Sequence, residues 1–179
     1  MKRLLNALLF CFFLLNIAYV HAQDSLKFPV PRGNSKQLFF LQRSQNTNTV
    51  VYELNIKNGT LDSIAPVHIF WICYAEKSQK EELTSLQRQH AYGLTTTYIS
   101  KDHYELRFVA NKKHVMQLMR GPDRLFHVYD QVNGKQAILS SIYLQLKGGS
   151  LFSPHIEYVM TKGFDVVTGA AVVEKTSSM

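Results

Sequence analysis

Arg88, His90 and Tyr92 lie close together in the segment LTSLQRQHAYGL, just before a glycine. Guanidinium, imidazole and phenol groups could bind a polar ligand or move a proton if they lined one concave site. A helical reading offers an alternative, because His90 continues the stripe of Leu83 and Leu86 at the end of a short helix. The helix dipole stabilises a protonated histidine there. His90 and Tyr92 would then be a structural joint between the helix and the next strand.

A second polar cluster lies in LQRSQNTNTVVYE, between two apolar segments. Arg43, Asn46 and Asn48 could donate and accept hydrogen bonds with a bound ligand. Asparagine side chains also commonly satisfy the backbone of their own loop, and this is the alternative interpretation. We therefore treat Arg43, Asn46 and Asn48 as candidate ligand-binding residues together with Arg88, His90 and Tyr92.

The residue patterns of common enzymes and metal sites are missing from the sequence. No two of the histidines after residue 22 stand two or four positions apart, and neither a Cys pair nor an HExxH motif occurs. No Gly-x-Ser-x-Gly segment or glycine-rich phosphate loop is present. Paired carboxylates are set only in space, so a glycosidase stays open. We expect no metal and no cofactor, and a buried, inert thiol at Cys73.

The first 22 residues are typical of a secretory signal peptide. Lys2 and Arg3 precede the apolar run LLNALLFCFFLLNIAYV, and Val20-His21-Ala22 fits the small-x-small rule for cleavage after Ala22. An uncleaved membrane anchor is the alternative, although the run is short for a span. We expect an exported protein, periplasmic or extracellular, with no transmembrane segment after cleavage. The net charge of +7 is modest and scattered, and export disfavours nucleic acid as a partner.

The rest of the chain predicts a mainly β domain. Residues 23–36 form an extended N-terminal arm rich in proline, and residues 37–175 form a single domain of apolar segments separated by turns. One short helix is predicted near residues 79–91, capped by Ser78 and Glu81 and stopped at Gly93. The short turns favour an antiparallel meander of about eight to ten strands, either a barrel or a sandwich.

Two turns predict the strand register in the second half of the chain. Asn133-Gly134 is typical of a two-residue hairpin turn, which pairs Val132 with Lys135 and Tyr129 with Ile138. A tight turn at Pro122-Asp123 would pair Leu118 with His127. Both faces of the resulting sheet then mix apolar and polar side chains. Such faces are either covered on both sides or line a ligand pocket, so His127 and Tyr129 join the candidate ligand-binding residues.

Three segments together resemble a known family. LFFLQRSQNTNTVVYELN, PVHIFWICYAE and LQRQHAYGL are similar to an uncharacterised family of exported bacterial proteins, the domain of unknown function numbered 4833. The resemblance extends from about Gln37 to about Val173. It implies export and a single domain, and it implies neither a reaction nor catalytic residues.

Three functions are consistent with these features. The mixed faces favour a binding module for a small apolar or amphipathic ligand, or for a partner in the cell envelope. The polar clusters leave open a hydrolase-type enzyme that acts on envelope or extracellular glycans or esters, and it requires the two clusters to meet in one concave site. The third is a structural protein of the envelope. We favour binding over catalysis, and the sequence leaves the oligomeric state open.

Overall fold

The computed structural model describes residues 28–149 and 154–177, and the predicted signal peptide lies outside them. The described chain contains thirteen strands and one short α-helix, more strands than the sequence predicts. The strands are β1 (Gln37–Arg43), β2 (Asn46–Leu54), β3 (Ile56–Lys57), β4 (Thr60–Leu61), β5 (Val67–Cys73), β6 (Gln79–Glu82), β7 (Leu94–Ser100), β8 (His103–Phe108), β9 (Asn111–Arg120), β10 (Phe126–Val132), β11 (Lys135–Gly149), β12 (Pro154–Asp165) and β13 (Ala171–Ser177). The helix α1 is Ser85–His90, and a 3-10 turn spans Tyr74–Glu76.

Eleven strands form one curled sheet, and β3 and β4 form a separate hairpin. The hydrogen-bonded order is β6-β5-β2-β1-β11-β10-β9-β8-β7, and β12 and β13 extend from β11. The expectation of a mainly β, barrel-like or sandwich-like fold is therefore confirmed as a half-barrel with one short helix. The pairing within this sheet is antiparallel except between β1 and β11, which run parallel.

The long strand β11 divides the sheet into two arms. Its first residues pair with β10, residues 141–144 pair with β1, and β12 pairs along most of its length. We call β1, β2, β5 and β6 the first arm, and β7, β8, β9 and β10 the second arm. The arms face each other across the core, where the ring of Phe108 meets Phe39 and Tyr52 edge-on at 6.2 and 5.9 Å between centroids.

Side-chain alternation places one face of each arm in this core. Phe39 and Leu41 of β1 point inward, and the ring of Phe39 stacks on Tyr52 of β2 at 4.2 Å between centroids. Cys73, at the end of β5, is buried and unbonded, as predicted. Burial raises the pKa of its thiol, which favours the unreactive protonated form.

The register of the β10–β11 hairpin is the predicted one. Val132 pairs with Lys135, and Tyr129 pairs with Ile138. Asn133 and Gly134 have φ values of 52° and 72°, the left-handed conformation that a type I′ turn requires.

The predicted register of β9 and β10 is wrong by one residue. Their connection spans residues 121–125, so His127 pairs with Met119 and Leu118 pairs with Val128. A shift of one residue transfers every side chain of a strand to the other face. Leu118, Met116 and Val128 therefore share the core face, which is more apolar than the predicted one.

The helix begins later than predicted. Ser78 is not its cap, because residues 79–82 form β6 and pair with β5. Thr84 is the N-cap instead, and its hydroxyl and the side chain of Gln87 exchange the two hydrogen bonds of a capping box. Only Leu83, before the helix, is buried, and Leu86 is exposed.

The turn between the last two strands is built on Asp165. Gly163 lies inside β12, close to the carbonyl of Ile138, and the turn comes at residues 166–170. The carboxylate of Asp165 accepts hydrogen bonds from the amides of Val167 and Thr168 at 2.8 and 3.1 Å. This local bonding outweighs the strand propensity of the two valines.

The segment before β1 contacts the outer face of the sheet. The amide of Gln42 donates a hydrogen bond to the carbonyl of Pro29 at 2.8 Å, and the rings of Phe28 and Tyr143 lie 5.5 Å apart. Within the described residues, no helix has the length and apolar character needed to span a membrane.

Candidate functional site

A partly open cleft of about 490 Å³ lies between the two arms, where β2 ends and β10 begins. Pockets for small molecules commonly have volumes of roughly 300–1,000 Å³ and combine apolar walls with a few polar groups. The principal apolar side chains that line this cleft come from both arms and from the β3–β4 hairpin: Leu54, Ile56, Leu61, Tyr104, Leu125 and Phe126.

Arg120 holds the second-arm wall of the cleft together. Its Nε donates to Oδ2 of Asp102 at 3.0 Å, and its Nη1 donates to the carbonyl of Arg124 at 2.8 Å. Its guanidinium also lies 4.5 Å from the centre of the Phe126 ring, a cation–π distance. One side chain thus joins the β7–β8 turn, the β9–β10 loop and the apolar ring of Phe126. A lysine at position 120 could not make this planar set of contacts.

Two tyrosines continue this wall. Tyr98 of β7 is largely exposed and meets the buried ring of Tyr104 edge-on at 5.6 Å between centroids. Burial raises the pKa of Tyr104, so its phenol stays protonated near neutral pH and can donate a hydrogen bond. The wall therefore offers aromatic surface together with a neutral polar group.

The β3–β4 hairpin forms the facing wall, and Asp62 holds its base. The carboxylate accepts hydrogen bonds from the backbone amides of Ile64 and Ala65 and pairs with the ammonium of Lys57 at 2.6 Å. The hydrogen bond from Lys57, with those from the two amides, lowers the pKa of Asp62 from 3.8 to about 2. The charged carboxylate therefore stabilises the hairpin at ordinary pH.

Because the folded-state pKa of Asp62 is depressed, its contribution to stability is present above pH 4. We expect it to be lost as the pH falls through about 2. In urea unfolding, the stability of the wild type relative to Asp62→Asn should decrease as the pH falls from 4 to 2. Asp123 and Asp165, whose pKa values are also lowered, are present in both proteins and cancel in the difference. A difference that stays constant over this window would contradict the assigned role of Asp62.

The predicted residues Arg43 and Tyr92 do meet, but at the opposite end of the arms. Nη1 of Arg43 donates to the phenol oxygen of Tyr92 at 2.7 Å, and the guanidinium lies 5.2 Å from the centre of the Trp71 ring. The rings of Trp71 and Tyr92 meet edge-on at 5.0 Å, and the hydroxyl of Tyr52 donates to the carbonyl of Tyr92. These contacts connect α1 to the first arm.

The surroundings of Tyr92 are those of a structural joint. Burial raises the pKa of its phenol, and the opposing influence of Arg43 is smaller. A protonated phenol accepts the hydrogen bond from Arg43 but cannot act as a general base near neutral pH.

The other predicted residues near this end serve local structure or face solvent. Arg88 is exposed and pairs with Glu82 at 3.3 Å, and His90 is exposed at the end of α1. The side chain of Asn46 accepts a hydrogen bond from the backbone of Asn48 at 3.2 Å, so it satisfies its own turn.

His127 and Tyr129 lie on the outer face of the second arm, away from the cleft. Nε2 of His127 is 2.8 Å from Oδ2 of Asp123, and this hydrogen bond lowers the pKa of Asp123. The His127 and Tyr129 rings meet edge-on at 6.1 Å. The structure therefore separates the eight predicted residues into two groups, and neither group lines the cleft. Across residues 28–149 and 154–177, no group of three or more His, Cys, Asp or Glu side chains could hold a metal ion.

The cleft residues were missed because their signal in the sequence is weak. RGPDR is a basic turn, and a basic turn usually indicates solvated surface. The correct β9–β10 register would have placed Arg120 beside Phe126 on the core side. That juxtaposition is the one sequence signal that could have indicated the cleft.

The fold and the cleft define a mainly β domain with a pocket between the two arms of its sheet. The chain belongs to the family described as domain of unknown function (DUF4833), whose model matches residues 39–175. The suspected resemblance is thereby confirmed. No curated protein and no solved structure matches the chain.

Proposed function

We propose that this protein is an exported binding module that holds a small amphipathic molecule in the cleft between its two arms. The cleft, with its mixed lining, is the observation that carries the proposal. The proposed export rests on the N-terminal sequence, with its basic start, apolar run and cleavage motif before Gln23.

The lining of the cleft supports an amphipathic ligand over a purely polar one. Leucines, an isoleucine and aromatic rings form its walls, and the cationic side chains Lys101, Arg120 and Arg124 stand among them. Burial of apolar ligand surface supplies affinity, and a few fixed polar groups supply orientation. Leu125, which is 54% exposed, belongs to this apolar lining.

The proposal moves the binding site away from the residues that suggested it. In the sequence, the case for a ligand rested on two mixed sheet faces. With the correct register, the inner face of β9 and β10 is mostly a packed core. The support now comes from the cleft itself, because its lining side chains remain in contact with open space.

Binding of N-phenyl-1-naphthylamine, a neutral apolar dye that fluoresces when it leaves water, tests the proposal. The folded wild type should bind the dye. Leu125→Asp should weaken binding at least about tenfold, because the dye would have to displace water from a charged carboxylate in the apolar wall. Leu86→Asp is the matched control, since Leu86 is similarly exposed but lies on α1 at the other end of the arms.

Circular dichroism and thermal melting should show that both aspartate variants stay folded, since both positions are exposed. A wild type that fails to bind the dye would overturn the proposal. Equal loss of binding in the two variants would also overturn it, because the dye would then not occupy the cleft.

A further inference from the structure

We infer that the cleft selects amphiphiles with an anionic head group, held by Lys101 and Arg124, and this inference rests on the proposed binding function. The apolar part of the ligand lies against Phe126 and Leu125. The head group is a carboxylate or a phosphate, the two anions that guanidinium and ammonium groups recognise best.

The balance of charge in the cleft is the first argument. Its charged lining residues are Lys101, Asp102, Arg120 and Arg124. Asp102 and Arg120 neutralise each other through their hydrogen bond at 3.0 Å. Among the ion pairs of the described residues, none involves Lys101 or Arg124. Two positive charges therefore remain uncompensated at the rim.

The backbone geometry supports the same assignment. Lys101 lies in the β7–β8 turn and Arg124 in the β9–β10 loop. Arg120 joins these two segments, because its side chain binds Asp102 and the carbonyl of Arg124, and its amide donates to the carbonyl of Asp102 at 3.3 Å. The backbone segments that carry Lys101 and Arg124 are thus joined to each other, which places both residues on the same side of the cleft.

The arrangement also orients the ligand. The guanidinium of Arg120 lies over the Phe126 ring and is bonded to the carbonyl of Arg124, so the cationic residue Arg124 and the aromatic wall are neighbours. Across the cleft, the β3–β4 hairpin offers Ile56 and Leu61. A molecule with charge at one end and hydrocarbon at the other satisfies both regions together. A neutral molecule satisfies only the walls.

Competition against N-phenyl-1-naphthylamine at 50 mM salt tests the inference with three probes that share one ten-carbon alkyl chain: undecanoate, decyl phosphate and decyltrimethylammonium. The wild type should bind the two anions at least about tenfold more tightly than the cation, the combined effect of two exposed ion pairs of ordinary strength. This preference should shrink at 500 mM salt. The ratio between the affinities for undecanoate and decyl phosphate tells which head group fits better.

The double variant K101Q/R124Q should lose about tenfold in affinity for the anionic probes and bind the neutral dye as the wild type does. K112Q/K113Q is the matched control, because it removes the same charge from exposed positions at the start of β9. This control should bind all probes as the wild type does.

Dye binding without a preference for anions would overturn the inference and leave the proposed function standing. Failure of the wild type to bind the dye would overturn both. An equal loss of anion affinity in the two double variants would show that net charge, and not the rim of the cleft, sets the preference. That result would also overturn the inference.

Discussion

Phe39→Ala should lower the free energy of unfolding by about 3–5 kcal/mol, the usual cost of deleting a fully buried phenyl ring. Phe39 is completely buried, stacks on Tyr52 and meets Phe108 of the second arm edge-on. Its loss therefore leaves a cavity where the two arms meet. Urea unfolding followed by the fluorescence of Trp71, the one tryptophan of the chain, measures the effect.

Phe40→Ala is the matched control for this prediction. Phe40 is the next residue of β1, but it is only half-buried and lies on the opposite face of the strand. Partial burial predicts a smaller loss, about 1–2 kcal/mol. Similar losses for the two variants would contradict a core located between the arms. Loss of dye binding in a Phe39→Ala protein that is still folded would indicate that the packed arms also maintain the cleft.

Gly93→Ala should lower the free energy of unfolding by about 1–3 kcal/mol, the usual cost of forcing a methyl group into a packed region. A Cβ atom at this position would overlap the backbone carbonyl of Arg88, and a backbone atom cannot rotate away. The carbonyl of Gly93 also accepts a hydrogen bond from Val109 at 3.0 Å, which limits any movement of the chain. The sequence predicted Gly93 as the stop of the helix, and the structure adds this close approach.

Gly33→Ala controls for the general effect of replacing glycine. A Cβ at Gly33 would have no heavy atom within 4 Å, so the change in stability should stay within about 0.5 kcal/mol. A Gly93→Ala protein as stable as the wild type would mean that the segment from α1 to β7 moves freely. The contacts of Tyr92 with Arg43 and Tyr52 would then contribute little to the fold.

Local turn chemistry explains which registers were predictable. A type I′ turn requires two consecutive residues in the left-handed conformation, and Asn-Gly adopts it readily, so Asn133-Gly134 was enough to predict the β10–β11 pairing. Pro122-Asp123 fits several turns. The loop of residues 121–125 uses Arg124 in the left-handed conformation and a hydrogen bond from the amide of Leu125 to Asp123. Nothing in the local sequence selects that loop over a tighter turn.

The candidate site residues also show this difference between what local sequence predicts and what it does not. A concave site built from both predicted polar clusters requires Arg43 and Tyr92 to lie close together, and the two side chains do touch. Their contact forms a joint between α1 and the first arm. The cleft lies at the other end of the arms. It forms where the β3–β4 hairpin faces the β9–β10 loop, and these two segments are far apart in the chain.

The sequence by itself determined the mainly β character, most strand positions, the short helix, the β10–β11 register and the family, because alternation, turn residues and motifs act over a few residues. Only the tertiary structure decided that β1 runs parallel to β11, a pairing extended by the hydrogen bond between Ser44 and Leu146, 102 residues apart. Pairing over that distance is selected by the whole core and not by local preference. It bends the sheet into two arms, and the space between the arms forms the cleft.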